Sequence, residues 1–157
     1  MKVLLDTHVV LWWAAGDRRL RPTAAGLIAN PDNTLLLSAL SVWEWTIKVA
    51  LGRLQAPDGM RDRCVAAGMV PLAFDGRHAE AVGSLPPLHA DPFDRGLVAQ
   101  AGVEGAVLLS ADARVLAYPV WPPAPVALPT SESLSANHAH VRARPQPSPI
   151  PSSGVRN

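Results

Sequence analysis

Apolar residues along the chain fall into short uninterrupted runs, set apart by longer stretches in which they recur about once per helical turn. The first run, Val3-Leu4-Leu5, ends at Asp6; the second, Thr34-Leu35-Leu36-Leu37, ends at Ser38; the last, Ala106-Val107-Leu108-Leu109, ends at Ser110-Ala111-Asp112. Runs this short, apolar at successive positions and bounded by polar residues, predict strands buried on both faces, as in parallel sheets. Met69 to Ala73 is a further strand candidate, which Pro71 confines to an edge. Tyr118 to Trp121 is a candidate last strand.

Helix signals fill the intervals. His8 to Ala15 is expected to be helical and to stop at Gly16, with Asp6 or Thr7 as its cap, and Pro22 opens a second helix running to Ala29. Ser41 with Glu44 three residues on reads as a capping box for a helix from Val42 to Leu51. On it Glu44 and Lys48 stand four apart, the spacing of an ordinary surface ion pair. A polar helix is expected over Asp58 to Ala67, and a short one over Gly76 to Ser84. Leu85-Pro86-Pro87-Leu88 must be a connector, because proline cannot continue a helix there. Asp91-Pro92 then starts another helix, the aspartate capping and the proline in the first turn, with Asp94 one turn further on the same face. Strands alternating with helices imply an α/β fold: a three-layer α/β/α sandwich around a mostly parallel sheet of four to five strands.

Composition divides the chain. Eight of its 16 prolines and six serines fall within residues 122–157. Such a segment buries too little surface to offset its ordering entropy and is expected to be a disordered tail, leaving residues 1–121 as one domain. A net charge of +1 gives no bulk attraction to nucleic acid, so any such binding must be local. Cys64 is the sole cysteine. With no intrachain disulfide, no long uncharged apolar span and no signal-peptide layout, a cytoplasmic setting is expected.

Candidate chemistry lies where the runs end. Asp6, Glu44 and Asp112 follow strands, while Asp91 and Asp94 open a helix. Caps and ion pairs explain each acid singly. In a parallel sheet, however, these ends lie along one edge, and carboxylates crowded there repel one another unless they share a cation. Oxygen donors without cysteine or paired histidines favour Mg2+ over zinc, with Mn2+ as a substitute. The matching chemistry is phosphodiester hydrolysis by metal-activated water.

Read in order, Leu4-Leu5-Asp6-Thr7-His8, Ser41-Val42-Trp43-Glu44, Lys48-Val49-Ala50-Leu51-Gly52-Arg53-Leu54, Asp91-Pro92-Phe93-Asp94-Arg95 with Ala99-Gln100-Ala101, and Leu109-Ser110-Ala111-Asp112 closely resemble the PIN-domain family, on the branch of VapC-type toxins from bacterial toxin–antitoxin modules. The resemblance implies a Mg2+-dependent endoribonuclease acting on single-stranded RNA, restrained by a VapB-like antitoxin and usually a homodimer. It places the acidic metal-binding positions on Asp6, Glu44, Asp94 and Asp112, with Asp91 as cap or holder of an outer water. Thr7 and Ser110 then orient a carboxylate or a water, Arg95 contacts phosphate, and Trp12, Trp43 and Trp45 offer an apolar groove to an antitoxin helix. A PIN-fold module that binds RNA or protein without catalysis is the alternative. The haloacid dehalogenase type of phosphohydrolase also begins with a strand and an aspartate, but it needs a second acid where this chain has His8.

Overall fold

The computed structural model describes residues 1–118. Their strands are β1 (Lys2–Leu5), β2 (Thr34–Ser38), β3 (Val70–Leu72) and β4 (Val107–Leu109). The helices are α1 (Thr7–Ala15), α2 (Pro22–Ala29), α3 (Ala39–Ala50), α4 (Met60–Ala66), α5 (Gly76–Gly83), α6 (Pro92–Glu104) and α7 (Ala113–Leu116). The strands form one parallel sheet in the order β3-β2-β1-β4.

Side-chain alternation along the strands builds two cores. Val3, Leu5, Leu35, Leu37 and Leu109 face one side, where Val9, Val10, Trp13, Ile28, Trp45, Met60 and Cys64 cover them from α1, α2, α3 and α4. Leu4, Leu36 and Leu108 are register partners across β1, β2 and β4 and face the other side. Leu40, Leu97, Ala101 and Val115 from α3, α6 and α7 close that side. Burying a leucine of this kind contributes about 1.5–3 kcal/mol. With helices on both faces, the sandwich expected from the sequence is the one observed. Helix α3 joins the layers, giving Leu40 to one core and Trp45 to the other. Gly96 lets α6 approach it, since a Cβ there would run into Leu40 Cδ1.

Pro71 lies in β3 at the sheet edge, paired with Leu37, where a missing N–H can be tolerated. The N-cap of α3 lies three residues before the expected one: Ser38 caps the helix, its Oγ accepting the Leu40 N–H at 3.0 Å. Strand β2 therefore turns into the helix with no loop, and Ser41 lies fully buried inside it. The capping box expected at Ser41–Glu44 does not form, and Glu44 is released for other partners. Helix α4 starts at Met60, after Gly59 in the left-handed conformation. Tyr118 is a buried bend, and the rest of the expected last strand and the 122–157 tail lie outside the described residues. Among the described residues, no helix is long and apolar enough to cross a membrane.

Candidate active site

Parallel strands deliver their carboxyl ends to one edge, and the chain places acids there by three local devices. Asp6 follows β1 directly and caps α1, its Oδ1 accepting the His8 N–H at 3.1 Å. Its other oxygen accepts a hydrogen bond from Ser110 Oγ at 2.5 Å, and Ser110 Oγ in turn accepts the Asp112 N–H at 3.1 Å. Asp6 is therefore held between the ends of the adjacent strands β1 and β4. Its own N–H is bound to Leu109 O.

Glu44 lies on the second turn of α3, 4% exposed. Thr7 Oγ1 donates to its Oε2 at 2.6 Å, and Lys48 Nζ lies 2.5 Å from its Oε1. The expected surface pair is in fact a buried carboxylate reached by a half-buried lysine, because α3 turns this side of itself toward α1. Lys48 thus supplies a positive charge beside the acids, which its spacing from Glu44 did not foretell.

Asp91 caps α6, its Oδ1 accepting the N–H groups of Phe93 at 2.8 Å and Asp94 at 3.4 Å. Asp94, in the first turn, has a side chain 17% exposed. Burial and then the negative fields of Asp6, Asp91 and Glu44 push its carboxyl up to about 6, against a smaller opposing pull from His89. Asp112 caps α7 and is more open; the Arg114 N–H bonded to its Oδ1 at 2.7 Å holds its carboxyl below the usual range. His8, half-exposed, is raised above the ordinary imidazole range by its hydrogen bond to Asp6.

Between Asp94 and Asp112 stands His89, a residue with no role in the pattern of acids along the chain. Its Nε2 lies 3.1 Å from Asp94 Oδ2 and 3.6 Å from Asp112 Oδ2. One ligand atom from each of the three residues falls within 4.8 Å of the others. A local signal is present in His89-Ala90-Asp91-Pro92: a histidine two residues before a capping aspartate can accept that residue's N–H, and His89 Nδ1 does so at 2.9 Å.

The structure thus joins Asp6 to Ser110, Glu44 to Thr7 and Lys48, and Asp94 to Asp112 through His89, with the fields of Asp6 and Glu44 reaching Asp94. A hard divalent cation fits this donor set: the oxygens are carboxylate, and Asp94 resists ionising among its neighbours. Arg95 is different. Its guanidinium donates to the carbonyls of Val82, Leu85 and Pro86 and to Tyr118 Oη, at 2.9–3.2 Å. It ties the proline-rich connector to α6, an anchoring role that the expectation of a phosphate contact at Arg95 did not include. The tryptophans also separate: Trp45 is core, and Trp12 lies under the Arg19 guanidinium. Trp43 is 58% exposed and meets Phe93 edge-on at 5.1 Å between centroids.

Known proteins share the sequence pattern and the fold of this chain. Residues 3–119 match the model of the PIN domain. The chain is 30% identical over 123 residues to Ribonuclease VapC22 of Mycobacterium tuberculosis, an alignment spanning 74% of this chain and 91% of that protein. Its fold is similar to a chain in the crystal structure of VapBC2 from Rickettsia felis bound to a DNA fragment from their promoter, at a TM-score of 0.53 and 14% identity, covering 71% of this chain and 89% of that one. The chain belongs to the PIN-domain family, on its VapC branch.

Proposed function

We propose that this protein is a Mg2+-dependent endoribonuclease, with Mn2+ as an acceptable substitute, and the toxin of a VapBC-type pair. The observation that carries the reading is Asp94, whose carboxyl is pushed up to about 6 among other buried acids at the carboxyl edge of a parallel sheet. Asp6, Glu44, Asp94 and Asp112 would hold the ion, and Asp91, committed to the helix cap, would reach it only through water. When bound, the ion supplies Lewis-acid activation of water and neutralises charge on the leaving oxygen of the phosphodiester. The chain's own groups fix the acids: Ser110 and the α1 N-terminus hold Asp6, and Thr7 holds Glu44. Lys48 offsets part of the negative charge.

An RNA substrate accords with the likeness to a ribonuclease, VapC22, and a VapB-like antitoxin partner with the likeness in fold to a chain of the VapBC2 complex. Two copies of the chain are expected to pair, and the exposed Trp43–Phe93 pair offers apolar surface to an antitoxin segment. The test is cleavage of single-stranded RNA with and without chelator. Cleavage lost in EDTA, restored by Mg2+ and absent in Asp94→Asn supports the reading. RNA or antitoxin binding without cleavage under any divalent ion would make the protein a non-catalytic binding module.

A further inference from the structure

The role of His89 can be decided from its two ring nitrogens. Its side chain is 6% exposed, and Nε2 meets no hydrogen-bond acceptor in line among the described residues, although Asp94 Oδ2 is 3.1 Å and Asp112 Oδ2 is 3.6 Å away. A buried polar atom aimed between two carboxylates has one of two uses. It is a lone pair for a cation, or a proton shared between the acids.

The other nitrogen discriminates. Nδ1 accepts the Asp91 N–H at 2.9 Å, so it presents a lone pair and carries no proton. In a neutral imidazole the proton is then on Nε2. An Nε2–H has no lone pair left to give a metal. Ligation through Nε2 would require moving that proton to Nδ1, which would face the Asp91 N–H donor to donor. The ring is further fixed at its own backbone, because the His89 N–H donates to Tyr118 Oη at 3.1 Å, and Tyr118 Oη also accepts from Arg95.

We propose that His89 is a positioning residue whose Nε2–H stands between the Asp94 and Asp112 carboxylates, draws them together by its N–H dipole without an in-line hydrogen bond to either, and remains outside the coordination sphere of the cation they hold. It links the start of α6, which carries Asp94, to the start of α7, which carries Asp112. The fixed points are independent of the metal: Asp91 caps α6 and sets the ring tautomer, while Tyr118 and Arg95 brace the connector. This inference rests on the reading that Asp94 and Asp112 hold a divalent cation.

Three measurements on the full chain test it. Histidine-ring 15N correlation spectra of the metal-free protein at pH 8 should show His89 with its proton on Nε2; a proton on Nδ1 overturns the proposal. With Mn2+ as probe, pulsed electron paramagnetic resonance of the wild type should show no imidazole nitrogen coupled to the ion, and a coupled nitrogen that disappears in His89→Gln overturns it. Calorimetry should find Mn2+ affinity weakened roughly 10–100-fold in His89→Ala but within about 3-fold of wild type in His89→Gln, whose amide N–H replaces Nε2–H. Affinity unchanged in His89→Ala, or lost equally in both, overturns the positioning role alone. A wild type that takes up no Mn2+ at all overturns the cation reading beneath it, and the bridge then holds nothing for an ion.

Discussion

Two aspartates near helix starts in this molecule behave in opposite ways. Asp75 caps α5: its carboxylate accepts the N–H groups of Arg77 and His78, and the Arg77 guanidinium pairs with it at 2.9 Å. That hydrogen bond from Arg77 holds its carboxyl below the usual range. Asp94, in the first turn of α6, has no arginine partner among the described residues; its nearest ring nitrogen is Nε2 of His89, which also faces Asp112. Burial and acidic neighbours drive it the other way, to about 6. A helix start alone favours an anion. The contrast shows that Asp94 is left under-neutralised by its own protein, whereas a structural cap such as Asp75 is neutralised where it stands.

The largest effect that would sharpen this contrast is on catalysis. Asp94→Asn should lower RNA cleavage by on the order of 100-fold or more, since even groups that only orient a metal ligand are worth about 10–100-fold. Asp75→Asn, which can still cap, should leave the rate within a factor of about two by the same assay. An equal loss in both would erase the distinction. Thr7→Val removes a hydroxyl from the buried Glu44 carboxylate, so a loss of roughly 10–100-fold in cleavage is expected, together with a stability cost of about 1–3 kcal/mol.

Arg95 sharpens the comparison from the stability side. Arg95→Ala leaves three carbonyls and a phenol without their charged donor and should cost about 2–3 kcal/mol in denaturant unfolding. Its effect on KM for RNA should be no more than that destabilisation explains; a selective rise in KM at full foldedness would return Arg95 to phosphate binding.

The pH dependence of the two aspartates has opposite sign. Asp94 has a folded pKa raised from 3.8 to about 6, so the protonated form is favoured in the fold. Its contribution is therefore most favourable below about 4 and is lost as pH rises through about 6. Asp75, lowered on folding, contributes stability above the ordinary carboxylate range and loses it as pH falls. In chelator, Asp94→Asn should thus gain on wild type as pH rises from 4.5 to 7.5, whereas the gap between Asp75→Asn and wild type should stay constant over that range, because the Asp75 contribution is lost only below about pH 4. Thermal unfolding across that range checks both. The smallest effect is the cap itself: Asp75→Ala should lower thermal stability slightly, with no change in metal binding.

Much of this is legible in the chain. Val3-Leu4-Leu5, Leu35-Leu36-Leu37 and Val107-Leu108-Leu109 are strands because β-branched and leucine runs of that length are buried on both faces, and Asp91-Pro92 starts a helix as its two residues dictate. Periodicity cannot choose between Ser38 and Ser41 as the cap of α3. Both suit the role, and the choice depends on β2 ending directly against the helix. Spacing also cannot tell which side of α3 faces inward, so Glu44 and Lys48 have the pattern of a surface pair, and only the packing of α1 against α3 buries the acid. His89 escapes for the same reason: its partners Asp94 and Asp112 come together only in three dimensions.

In the proposed function, Asp6, Glu44, Asp94 and Asp112 become compatible by sharing a hard cation. Titration of Mg2+ into metal-free protein, followed by calorimetry at pH 7.5, tests it directly. Saturable binding in the wild type that disappears in Asp94→Asn and survives in Asp75→Asn is the predicted result. No binding in the wild type, or equal binding in all three proteins, would contradict it.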